Sequence, residues 1–251
     1  MLATIKYNSK NHQIDLSKPI DISIGVDPAK KGVNAWYIDD PKIYPVTEGD
    51  WVATVAEGAS INFNMIEFNP HAHITHTECV GHITKKIHSV NKNLNQFFFY
   101  AELITIAPAM LDDDFVITKK QVQFALGAKK RDAVIIRTLP NLADKKSMRY
   151  SHSNPPYLLE EAAIFLREAG IEHLLIDLPS VDREEDEGLL LSHNAFWNTQ
   201  GKIRKSATIT EFIYVPNTVL DGTYFLNLMI APFENDATPS KPILYELISN
   251  S

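Results

Sequence analysis

Residues 157–178 read YLLEEAAIFLREAGIEHLLIDL, and this stretch decides the fold class. From Tyr157 to Ala169 the apolar residues Leu158, Ala162, Phe165 and Leu166 fall on one face at helical spacing. Pro155 and Pro156 precede them, where a missing amide proton costs a helix little, and Gly170 follows as a natural C-cap. Directly afterwards Ile171 to Leu178 (IEHLLIDL) reads as a strand. A helix that leads straight into a strand belongs to a mixed architecture. The expected class is therefore α/β (mixed α+β), with a largely β core flanked by a few helices.

Outward from this unit, the pattern predicts more strands. Ile14 to Val26 (IDLSKPIDISIGV) and Ile61 to Phe68 (INFNMIEF) alternate apolar and polar residues, as strands with one buried face do. Ala101 to Ile106 and Ala133 to Arg137 (AVIIR) are nearly continuous apolar runs, suited to central strands buried on both faces. No repeat, low-complexity tract or Gly/Ser linker interrupts the 251 residues, so residues 1–251 are expected to form one domain. With 45% hydrophobic and 22% charged residues the chain can bury a sizeable core. The formal charge of −7 disfavours binding to nucleic acid or anionic membranes. The single cysteine, Cys79, excludes an intrachain disulfide and any multi-thiolate zinc site. It fits a reducing compartment, and the N-terminus MLATIKYNSKNHQIDLSKP lacks the apolar run of a secretion signal, so a cytoplasmic location is expected.

The sharpest chemical signal is HAHITHTECVGHITKKIH, residues 71–88, which holds His71, His73, His76, His82 and His88 together with Glu78. Imidazole nitrogens and carboxylate oxygens suit borderline divalent ions such as zinc or manganese. In an extended chain His76 and Glu78 share a face, and His82 has the same parity. His71 and His73 have the opposite parity, and either reaches that face only if a turn or bulge absorbs one residue before His76. His88, beside Lys85 and Lys86, reads as a hydrogen-bonded surface or core histidine rather than a ligand, and Cys79 as a buried, inert thiol. Trp36, Phe63, Phe68 and Trp197 are candidate walls for a flat substrate, with plain core packing as the competing assignment. The acidic runs 112–114 and 182–187 are expected in solvated loops. Lys129 to Arg131 is expected to form a surface turn.

His76-Thr77-Glu78-Cys79-Val80-Gly81-His82, preceded by Thr75, resembles the H-x-G-T-H-x-D-x-P-x-H signature of the metal-dependent cyclase family, which includes bacterial kynurenine formamidases and isatin hydrolases. Asn154-Pro-Pro-Tyr-Leu, the helix, and Ile176-Asp-Leu-Pro-Ser-Val-Asp182 resemble that family's "yL…eaa.wL…giDtpSvD" block. His193, Glu211 and the closing Ala237-Thr-Pro-Ser-Lys-Pro-Ile also stand at matching places, and with Ile14-Asp-Leu-Ser the similarity spans nearly the whole chain. The resemblance implies the swivelling β/β/α fold, a small-molecule substrate, a homodimer or higher homo-oligomer, and one or two divalent ions, zinc or manganese. It implies metal ligation by His76, Glu78, His193 and Glu211, and a proton-shuttling role for His82. Arg137-Thr138 in turn resembles the family's R-T pair at a strand end, which makes the two residues candidates for facing substrate.

Three departures from the family pattern carry structural consequences. The H-x-x-x-H spacing would put the first ligand at Ala72, so His71, or alternatively His73, must supply it. Ile74 replaces the signature glycine and cannot cheaply adopt positive φ, so the loop must be built differently. Glu78 replaces aspartate, moving the carboxylate outward by about one bond. The implied activity is hydrolysis of a small cyclic or aryl amide by metal-activated water. The alternative is a catalytically impaired paralogue with a binding or structural role.

Overall fold

The computed structural model describes residues 1–7, 9–27 and 30–248. Eight strands build the central sheet: β1 (Ile20–Asp21), β2 (His76–Glu78), β3 (Phe98–Ile106), β4 (Ala133–Thr138), β5 (His173–Ile176), β6 (Thr208–Glu211), β7 (Gly222–Ile230) and β8 (Ala237–Glu246). Their order is β7-β3-β4-β5-β6-β2-β8-β1, and an additional β7–β8 pairing closes the sheet on itself, leaving β1 outside the ring. Strands β3, β4, β5 and β6 run parallel, while β2, β7 and β8 join antiparallel.

The β4 run AVIIRT is buried throughout because its two faces meet different cores. Val134 and Ile136 pack outward with the helices α2 (Lys119–Leu126), α3 (Glu160–Glu168) and α4 (Leu191–Trp197), while Ala133 and Ile135 pack inward with Leu103, Leu226 and Leu244. This double burial is why β4 reads as a continuous apolar run. The mixed class and the helix-flanked β core expected from the sequence are what the chain forms.

Several sequence expectations need correction. The helix starts at Glu160, because Tyr157 and Leu158 instead pair in parallel with Val116 and Ile117, and Leu159 is still extended. It ends as expected: Gly170 has φ 82, and the Ile171 amide donates to the Leu166 carbonyl. Ile14 to Val26 is not one strand; after Lys10–Asp15 a turn intervenes before β1, and Ser23 makes only an isolated bridge to Ile213. Asn64–Glu67 is a strand but has no buried face, since it pairs only with Lys42–Pro45 in a two-stranded ribbon. Among the described residues no helix is long and apolar enough to cross a membrane.

Candidate metal centre

Strand β2 sets the geometry. His76 and Glu78 point to one face, and Thr77 points to the other, its hydroxyl 2.8 Å from that of Thr210. Cys79 joins the inner apolar cluster, donates to the His88 carbonyl at 3.3 Å, and burial pushes its thiol up to about 11. Antiparallel pairing with β6 sets Glu211 opposite His76, with Nε2 of His76 3.4 Å from Oε2 of Glu211. Oε1 of Glu211 accepts from the Val181 amide at 3.0 Å. The next residue, Phe212, has φ 54, an uncommon conformation for a bulky side chain and one that recurs beside functional groups.

The residue that separates this chain from H-x-x-x-H spacing is absorbed by one helical turn, α1 (Pro70–His73), capped by the Asn69 side chain. Ile74 then leaves the turn fully extended, at φ −154, so no positive φ is needed where glycine is missing. The turn delivers His71 to the centre, its Nδ1 3.2 Å from Oε2 of Glu78. His73 points elsewhere: its Nδ1 accepts from the Asn69 amide at 3.0 Å, and the ring borders a recess with Lys30, Asp40 and Pro41. His82 lies on the 3-10 turn Val80–Ile83, its Nδ1 3.9 Å from Oε2 of Glu78 and its ring stacked on His71 at 4.3 Å.

His193 arrives on α4. Its Nε2 is 3.1 Å from Oε1 of Glu78 and 3.9 Å from Oε1 of Glu211, while Nδ1 meets Oδ2 of Asp182 at 2.6 Å. Asp182 also accepts from the amides of Ser192 and His193, so a buried carboxylate caps the start of α4 and aims its histidine at once. Leu190, the residue before α4, is held at φ 47. Trp197 is fully buried against the His193 ring at 5.3 Å and donates to the Ala207 carbonyl.

The residues present fit a divalent ion. One ligand atom from each of His71, His76 and Glu78 lies within 4.8 Å of the others, as do atoms of Glu78, His82 and His193. Nε2 of His76 and Oε2 of Glu78 are buried without a hydrogen bond, a costly state for polar atoms that a cation between them would relieve. Glu78 lies at ion-pair distance from its imidazoles without satisfying that oxygen. Burial opposes its charge, but His82, His193 and His71 outweigh it and hold the carboxyl well below the usual range. Burial likewise works against charge on His71 and His193. Asp236 and Glu78 nevertheless lift His71 to about 10, and Asp182 and Glu78 raise His193 well above an ordinary histidine. A cation bound there would take the place of the protons on these rings, because a ligating imidazole is neutral.

Other expected site residues lie outside the cluster. All of the Arg137 guanidinium contacts are structural, to Thr105, Asp221 and the carbonyls of Pro216 and Val219, while Thr138 bonds to Asp177. Phe63 is exposed and Phe68 half-buried, whereas Trp36 approaches the centre, donating to the His71 carbonyl at 3.0 Å. The 182–187 run is not simply solvated, since Asp182 is buried and Glu184 accepts from Tyr37 and from the amides of His152 and Asn154. Likewise Arg131 is bonded to Glu102 and Thr223 rather than free in a turn. Two site residues escaped the sequence reading as such. Asp182 closes the Pro179-Ser-Val-Asp182 block, a usable signal; Asp236 had none beyond standing next to the Ala237 segment.

Residues 14–183 match the family model described as cyclase, putative cyclase. The kynurenine formamidase of Bacillus cytotoxicus is 26% identical over 242 residues, covering 92% of this chain and 99% of that protein. Among solved structures, a potential metal-dependent hydrolase with cyclase activity aligns with a TM-score of 0.66 at 19% identity, covering 91% of this chain and 97% of the other. Isatin hydrolase A from Labrenzia aggregata, bound to benzyl benzoate, aligns with a TM-score of 0.66 at 16% identity, covering 91% and 93%. These structural likenesses establish a shared fold. The family match ends before His193, Glu211 and Asp236, which join the centre through the folding of the chain.

Proposed function

The chain belongs to the cyclase family, and on that premise we propose that it is a metal-dependent hydrolase of a small cyclic or aryl amide. The observation that carries this reading is the set of donors converging around Glu78, with buried atoms of His76 and Glu78 left without hydrogen bonds. His71, His76 and Glu78 would hold one divalent ion, zinc or manganese, and Glu78, His193 and Glu211 would supply donors for a second. When bound, such an ion lowers the pKa of water to about 7 and polarises a carbonyl. The chain's own residues do the rest. His82 is the most exposed ring of the cluster. It accepts a proton from water as oxygen bonds to the carbonyl carbon, and returns it to the leaving nitrogen as the C–N bond breaks. Trp36, whose indole N–H donates to the His71 carbonyl, is the candidate aromatic wall for a flat substrate. The exposed Phe63, Met65 and Ile66 around the outlying ribbon support a homo-oligomer.

The test is metal analysis of the purified chain, followed by assays with N-formylkynurenine and isatin before and after chelation. One or two equivalents of zinc or manganese with chelator-sensitive hydrolysis is the expected result. In His82→Ala, turnover falls by about 10²- to 10⁴-fold while metal content holds. A metal-free chain under replete conditions, inactive on both compounds, overturns the reading.

A further inference from the structure

We infer that Asp236 is a positioning residue that holds His71 and His82 together through a single carboxylate oxygen. Oδ2 of Asp236 lies 3.0 Å from Nε2 of His71 and 3.3 Å from Nδ1 of His82. The inference rests on the hydrolase reading for its consequences, but its geometry is independent of it.

The inward-facing rings are each held from behind. His193 has Asp182 on Nδ1 and turns Nε2 inward; His76 has the Ile74 carbonyl on Nδ1 at 3.1 Å and also turns Nε2 inward. His71 is reversed, with Nδ1 facing Glu78 and Nε2 facing outward to Asp236. A carboxylate behind a metal-binding imidazole fixes which nitrogen is protonated, leaving the other free to bind. The reversal follows from the entry point of His71: it comes from a one-turn helix, displaced by one residue from H-x-x-x-H spacing. The outward Nε2 of His71 therefore needs a partner of its own, which Asp236 supplies.

Asp236 is well placed to serve. It immediately precedes β8, whose first residues pair with β2, and its carbonyl accepts from the Cys79 amide at 3.0 Å. The backbone that anchors Glu78 thus also anchors the carboxylate behind His71. Because the same oxygen meets His82, whose ring stacks on His71, Asp236 fixes the spacing between the proposed ligand and the proposed proton carrier.

The test uses the full chain and Asp236→Ala, with Asp236→Asn as the conservative variant that keeps an acceptor oxygen. Three quantities are measured: zinc affinity by competition with a fluorescent chelator, ring ¹⁵N shifts of His71 and His82 in the metal-free chain, and hydrolysis at saturating zinc. In Asp236→Ala, zinc affinity falls by about 10- to 100-fold and both rings' shifts move. Zinc saturation then restores occupancy but not full turnover. Asp236→Asn recovers part of the affinity. Unchanged ¹⁵N shifts and unchanged zinc affinity in Asp236→Ala overturn the inference and leave the hydrolase reading intact. If the unmodified chain binds no zinc, the hydrolase reading fails, and the ¹⁵N shifts still decide whether Asp236 holds the two rings.

Discussion

His71 and His73 lie two residues apart in the same helical turn, yet only His71 reaches Glu78. His71→Ala is therefore expected to weaken zinc or manganese binding at least about 10-fold, while His73→Ala leaves it near the original value; isothermal titration of the two variants decides. Parity alone identified His76 and Glu78 as facing one way and Cys79 the other, because alternation is a property of any extended chain. It did not choose between His71 and His73, since that choice depends on a helical turn capped by Asn69 and closed by an extended Ile74. Asp182 and Asp236 were not legible as site residues for a different reason. Each acts through a histidine that only the fold sets beside it, and an aspartate in or next to an acidic stretch looks like solvated charge until that histidine is placed.

At the level of elements, the legible features were those set by local pattern: the α3–β5 unit, the Gly170 stop and the doubly buried β4. The long strands β7 and β8 were not read, although their pairing closes the barrel and carries Asp236 to β2. The 3-10 turn that presents His82 depends on a close approach, because a Cβ at Gly81 would collide with the His88 carbonyl. Gly81→Ala is expected to cost about 1–3 kcal/mol and to shift His82. Urea unfolding checks the first effect, and the His82 ring signals in NMR check the second. A second contact secures the end of β4. Lys145 donates to Asp177 at 2.8 Å and to both oxygens of Thr138, leaving a charged pair almost wholly buried between β4 and β5. Burial raises the Asp177 carboxyl even so. Lys145→Met strands that carboxylate, and a loss of about 3–5 kcal/mol by chemical denaturation is expected.

For the molecule as a whole, the metal centre and the opposite end of the parallel strands respond to pH with different signs. His71 and His193 have raised values in the folded chain, so their contribution is full below the unfolded value near 6.5 and is lost as pH rises through the folded one. His173 behaves oppositely. It opens β5, with its ring 3.9 Å from Phe99 and Nδ1 2.9 Å from the Thr208 hydroxyl, and burial, aided by Arg204, lowers it to about 3. Between pH 6.5 and that value the unfolded chain takes up a proton that the folded chain refuses, so stability falls as the solution is acidified. From pH 7 to pH 5 this linkage amounts to about 2 kcal/mol. Because the other histidines are common to both proteins, the difference between the unmodified chain and His173→Gln isolates it. Urea unfolding of both proteins after chelation should show the unmodified chain losing about 2 kcal/mol more than His173→Gln over that interval. Equal losses would mean that His173 takes up its proton in the folded barrel at an ordinary pH, and that the packing between Phe99 and Thr208 does not exclude charge.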